Sequence, residues 1–155
     1  MPVFVNNLQE KVPVNSKILD TMEMVVAVSL KLEGRGDDPE VTIALVDDTY
    51  ITELNYKYRH KGVATDVLSF PMEEIDEEEP VINGETENIL GDIVISMETA
   101  LRQSEEYGHS LLREMAYLAA HGMFHLLGYR HDAEDRRRIM RDREEKVLSL
   151  LNISR

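Results

Sequence analysis

ILGDIVISMETALRQSEEYGHS, residues 89–110, holds the transition that decides the fold. Its first eight residues, ILGDIVIS (89–96), are apolar and rich in β-branched side chains, which reads as a strand. Ser96 is a residue type that opens helices, and Met97, Ala100, Leu101 and Ser104 then recur at helical spacing as far as Gly108. Upstream, TDVLSFP (65–71) is a strand stopped by Pro71, EVTIALVD (40–47) is another, and residues 1–6, with Val3 and Val5, form a short one. Between these strands, Asn15 or Ser16 caps a helix to about Leu32, with Ile18, Leu19, Met22, Val25 and Val26 on one face. Asp48 caps a second helix of about ten residues carrying Ile51, Leu54 and Tyr58. Downstream, a long helix runs from Ser110 to Leu127, Gly128 breaks it, and a last helix spans about Ala133 to Leu151. The order β-α-β-α-β-β-α-α-α is neither strict βαβ alternation nor an all-antiparallel pattern. It predicts an α/β fold of the α+β type. The expected form is one compact domain, residues 1–155, with a small mixed sheet of about four strands under about five helices.

The 155 residues suit one domain and can bury a core without staples. Cysteine is absent, which excludes disulfide scaffolds, disulfide-linked partners, thiolate zinc sites, iron–sulfur clusters and thiol nucleophiles. MPVFVNNLQE, at the start, has neither a basic nor an apolar signal region, and no apolar run approaches the ~20 residues that span a bilayer. A cytoplasmic protein with no membrane partner is expected.

Acidic residues number 30 against 17 basic ones, a formal charge of −13. Taken alone, that charge disfavours nucleic acid. Its placement narrows the objection. PMEEIDEEEPVINGETEN (71–88) carries eight acidic side chains and no basic one, so the rest of the chain holds only −5. The stretch reads as a self-repelling surface loop, there for solubility or for docking and screening. Basic charge gathers at Lys57, Arg59 and Lys61 around His60, and again at Arg136, Arg137, Arg138, Arg141 and Arg143. The second group reads as a polar helix face laced with ion pairs.

Chemistry concentrates in HGMFHLLGYRH (121–131). Residues four apart on a helix lie on one face with Cβ atoms ~5–6 Å apart, so His121 and His125 can meet one metal ion. Gly128 permits the turn that brings His131 back beneath them. Three histidines leave a coordination position open, which marks a catalytic rather than a structural zinc-type site. Asp132 can add a fourth ligand or cap the next helix. Glu114, seven residues before His121, either orients a ligand from behind or is an ordinary exposed helix glutamate. The spacing matches the HExxHxxGxxH arrangement of metzincin peptidases, except that their general-base glutamate is Gly122 here. Losing that base removes roughly 10²–10⁴-fold of catalysis, so a peptidase would need another proton acceptor.

Taken with ATDVLSFP (64–71), LGDIVIS (90–96) and YGHS (107–110), this histidine motif resembles the YbeY family of bacterial metal-dependent endoribonucleases. The ordered match runs from about Leu54 to Asp132. Ala64 stands where the family usually has proline, and Arg130 where it has aspartate before the third histidine. The resemblance implies a divalent transition metal, zinc foremost, on His121, His125 and His131. It implies cleavage of single-stranded RNA in 3′-end maturation of small-subunit ribosomal RNA and in ribosome quality control. The partners implied are ribosomal RNA, the small ribosomal subunit and its assembly factors. The family's functional arginine maps onto Arg59, for which an arginine fork on phosphate is the physical rationale. Lys57 and Lys61 flank it as candidate substrate contacts. Two other functions stay open on the residues alone: a different metallohydrolase on the same histidines, or a non-catalytic assembly factor with a structural metal.

Overall fold

Every strand expected from β-branched composition forms in the computed structural model, which describes residues 3–72 and 88–153. The elements are β1 (Val3–Asn7), α1 (Ser16–Leu32), β2 (Glu40–Val46), α2 (Asp48–Arg59), β3 (Val67–Pro71), β4 (Ile89–Ser96), α3 (Met97–Tyr107), α4 (Leu111–Leu126) and α5 (Glu134–Leu150). The sheet order is β1-β2-β4-β3. β1, β2 and β4 run parallel, and β3 lies antiparallel on the outer edge of β4, with Ser69 opposite Ile93. Among the described residues these elements make one α/β domain with a mixed four-stranded sheet and five helices. The acidic stretch assigned to a surface loop lies, from 73 to 87, outside the described residues.

Alternation sorts the sheet's two faces. Val41, Ile43 and Leu45 of β2 with Ile93 and Ile95 of β4 are wholly or almost wholly buried in a core shared with α1, α3, α4 and α5. The opposite face is smaller: Val46, Val94 and Leu68 meet Ile51 of α2. α4 is the central helix, with Met115, Ala116, Leu118, Ala119, Ala120, Met123 and Phe124 all buried. Its small residues let it lie close on the sheet. Gly122 shows how close, since a Cβ there would stand 2.8 Å from Ile93 Cγ2.

Local boundaries differ from expectation in three places. Asp47, not Asp48, caps α2 by accepting from the Tyr50 amide at 2.9 Å. Asp48 instead accepts from Ser96 Oγ and Thr99 Oγ1, each at 2.6 Å, and from Arg102 at 2.8 Å. It thereby ties α2 to the end of β4 and the start of α3. β3 begins at Val67 rather than Thr65, because the Asp66 carboxylate accepts from the Val67 amide and the Asp66 carbonyl from the Ser96 amide. Asp132 does not cap α5, whose N-cap is Ala133 with no side-chain bond; its carboxylate accepts from Arg136 at 3.2 Å. Among the described residues no helix is long and apolar enough to cross a membrane.

Candidate metal centre

The last turns of α4 and the chain just beyond it build the centre. Leu127 ends the helix, and Gly128 follows at φ 98°, a left-handed conformation that a side chain would strain. The Gly128 amide donates to His125 O (3.1 Å) and the Tyr129 amide to Phe124 O (2.9 Å). This is a Schellman ending, completed by the Tyr129 ring packed edge-on against Phe124 at 5.4 Å. The chain therefore reverses, and His131 returns to the face that carries His121 and His125.

The three rings converge. Centroids stand 4.7 Å apart for His121–His125 and His125–His131, and 5.6 Å for His121–His131. One nitrogen from each lies within 4.8 Å of the others, so the three converge on a space that one ion could share. The donor set also fits a metal chemically. His125 is held well below the usual imidazole range, at about 4, by burial and by the neighbouring His121, His131 and Arg59, against a hydrogen bond to the Tyr129 backbone. Its lone pair is therefore free at neutral pH. His121 Nδ1 donates to Glu144 Oε2 at 2.7 Å, which directs Nε2 toward the other rings. Glu144 comes from α5 and is 3% exposed. Tyr117 stacks on the outer side of His121 at 6.0 Å. Burial, then the carboxylates Glu144, Asp66 and Glu114, push its phenol up to about 12.

These histidines form one wall of an open cleft of about 720 Å³. The cleft is also lined by Val67, Ser69 and Pro71 of β3, by Asp66 just before it, and by Arg59. Arg59 Nη2 donates to Ser69 O at 3.1 Å, and its guanidinium lies over the Phe70 ring at 5.5 Å. Two anchors fix the fork on the strand that faces the histidines. Arg130 and Asp132 line the mouth.

Not every expected site residue gathers here. Lys57 and Lys61 are exposed and lie outside the cleft lining, Lys57 resting over Tyr58 at 5.2 Å. Glu114 is buried rather than exposed, and its carboxylate pairs with His109 Nε2 at 2.5 Å instead of a cleft histidine. Glu144 takes the supporting place that Glu114 was expected to fill. One signal in the sequence could have found it: Met140, Glu144, Val147 and Leu148 share one helix phase, and all are buried. A carboxylate in that phase needs a partner.

Two histidines of α4 and a third from the chain just beyond it line one open cleft with an arginine, a group that could hold a metal ion in a hydrolase type of site. The chain belongs to the family described as Endoribonuclease YbeY, whose profile matches residues 4–152. It is similar to the Endoribonuclease YbeY of Pelotomaculum thermopropionicum, 52% identical over 155 residues and covering all of both chains. To that of Desulforamulus reducens it is 53% identical over 158 aligned positions, again covering all of both. A solution structure of a Thermotoga maritima protein shares the fold, with TM-score 0.60, 22% identity, and coverage of 97% of this chain and 91% of that one.

Proposed function

We propose that the protein is a metal-dependent endoribonuclease in which His121, His125 and His131 hold one divalent transition metal, zinc foremost, and Arg59 is the catalytic side chain at the scissile phosphate. The observation that carries this is the three convergent imidazoles facing a fixed guanidinium across one open cleft, in a chain of the Endoribonuclease YbeY family. When bound, the ion supplies Lewis acidity and activates water.

The chain's own residues do the rest. Arg59 offers a planar fork to two phosphate oxygens, and its anchors on Ser69 O and Phe70 keep it oriented while charge develops there. Glu144 fixes the ring of His121 and its tautomer. The open cleft admits a single strand, which supports action on unpaired RNA. Lys57 and Lys61, outside the cleft, add positive potential along the approach to Arg59. In the cell this activity serves 3′-end maturation of small-subunit ribosomal RNA and ribosome quality control, in the cytoplasm, with the small subunit and its assembly factors as partners.

A peptidase on the same histidines is opposed by Gly122, where a glutamate would collide with Ile93. The test is cleavage of matched single-stranded and duplex RNA by metal-loaded protein and by Arg59→Ala. Wild type is expected to cut the single strand preferentially. The variant is expected to keep its metal and lose on the order of 10²-fold in rate. Full activity in Arg59→Ala would remove Arg59 from the reaction, and peptide cleavage without RNA cleavage would overturn the function.

A further inference from the structure

A second cavity, of about 540 Å³, is lined by Tyr117 and, among others, by Asp66, Gln103, Tyr107, His109, Arg113 and Glu114. Its volume is in the ~300–1,000 Å³ range of small-ligand sites. Asp66 lines both this cavity and the histidine cleft, and Tyr117, which lines this cavity, stacks on His121, which lines the cleft. The two sites are therefore neighbours.

The polar groups there are unevenly satisfied. Both oxygens of Glu114 are engaged, Oε2 by His109 and Oε1 by the Gln103 amide at 3.0 Å, once that amide is oriented to suit its neighbours. The same amide reaches Asp66 Oδ2 at 3.3 Å, a longer contact that leaves acceptor capacity on Asp66. Arg113 differs. It is 5% exposed, among the described residues its Nε has no hydrogen-bond partner, and its Nη2 comes no nearer than 4.0 Å to Glu145. Nε itself is closed to solvent, so the donors that Arg113 can offer to a molecule in the cavity are those of its terminal nitrogens. At the rim, the exposed Tyr107 ring lies 5.9 Å from His109, tilted 45° to it, offering a flat aromatic surface.

We propose that this cavity is a base-binding subsite of the nuclease that receives a guanine next to the cut phosphate, with Arg113 and Asp66 reading its edge and Tyr107 stacking on its face. Guanine answers both demands at once. Its O6 and N7 accept from an arginine, the commonest arginine–base contact, while its N1–H and amino group donate to a carboxylate. Adenine has an amino donor where guanine has O6 and an acceptor at N1, so it faces Arg113 and Asp66 with the wrong polarity. Pyrimidines lack N7 and the second ring that would reach Tyr107. Base–aromatic stacking tolerates any base, so discrimination falls to Arg113 and Asp66.

The proposal rests on the nuclease function for its biological sense, yet it can be tested apart from catalysis. Guanosine, inosine, adenosine, cytidine and uridine are titrated into the full chain and followed by NMR. Free nucleosides carry no phosphate to draw them to the cleft. Guanosine is expected to bind about tenfold tighter than adenosine, with inosine between them for want of the amino group, and to shift the resonances of Tyr107, His109 and Arg113. Arg113→Gln is expected to abolish the preference with metal content unchanged. Tyr107→Ala, at an exposed position safe for folding, is expected to weaken every nucleoside by a similar factor. A parallel assay cuts RNAs that differ only in the nucleotides flanking the cut. Equal binding of all nucleosides by wild type, or an undiminished preference in folded Arg113→Gln, overturns the subsite. RNA cleavage with no base preference and no guanosine binding sinks the subsite and leaves the nuclease. Guanosine bound at Arg113 with no RNA cleavage at all does the reverse.

Discussion

His121 depends on a carboxylate that lies 23 residues away in sequence. Glu144 is almost fully buried, and its hydrogen bond to Nδ1 sets which nitrogen of His121 faces the cleft. Glu144→Gln keeps the volume but loses the charge that raises ligand basicity. It is expected to weaken metal affinity about 10–100-fold with the fold intact, measured by competition with a chelator of known affinity. Unchanged affinity would reduce Glu144 to a packing residue. The histidine spacing and Gly128 were legible in the sequence because both are local: a four-residue step and one left-handed turn. Glu114 and Glu144 were not. A separation of seven puts Glu114 on nearly the same helix face as His121 but two turns, or ~10 Å, along the axis, too far for contact. It bonds His109 in the preceding turn instead. Lys57 and Lys61 lie outside the cleft lining for a related reason: neighbours of Arg59 in sequence need not share its direction.

Between elements, the close approach of α4 to β4 decides which chemistry the helix can carry. A glutamate at 122 would push into Ile93 and bury a charge without a partner. Gly122→Glu is expected to destabilise by about 3 kcal/mol or more, read from urea midpoints, without creating peptidase activity. A stable, peptide-cleaving Gly122→Glu protein would contradict the packing account. A second junction lies at Asp48, where α2, β4 and α3 meet. Burial opposes its charge, but bonds from Ser96, Thr99 and Arg102 hold the carboxyl below its ordinary 3.8. A lowered folded-state value contributes stability that is complete above the unfolded value and fades as pH falls through the folded one. Asp48→Asn is therefore expected to cost about 2 kcal/mol at neutral pH, with the gap to wild type closing below about pH 4. A constant gap down to pH 2 would rule out the ionised network. The strand-to-helix passage at Ser96 was plain from sequence, as was the order of the nine elements among the described residues. The choice between Asp47 and Asp48 as cap was not, because adjacent aspartates offer the same side chain and only the position of α3 tells them apart.

Across the whole molecule, a formal −13 and a site for a polyanion coexist because charge acts locally. Eight of the acidic residues fall within 71–88, while Arg59, Lys57 and Lys61 stand on or beside the end of α2 that meets the cleft. Few cations are available, so affinity for naked single-stranded RNA is expected to be weak. With three phosphate contacts and a slope near −0.7 per contact, log affinity should fall with log salt with a slope of roughly −2. Filter binding over a salt series checks this, and a flat response would exclude an electrostatic groove. If the three histidines act through a shared ion, bound metal and RNA cleavage rise and fall together when both are measured on the same preparations of wild type and His125→Ala. Wild type is expected to carry about one equivalent of transition metal and to cleave, and the variant to do neither. Full cleavage by protein stripped of metal, or by metal-free His125→Ala, would contradict action through a shared ion.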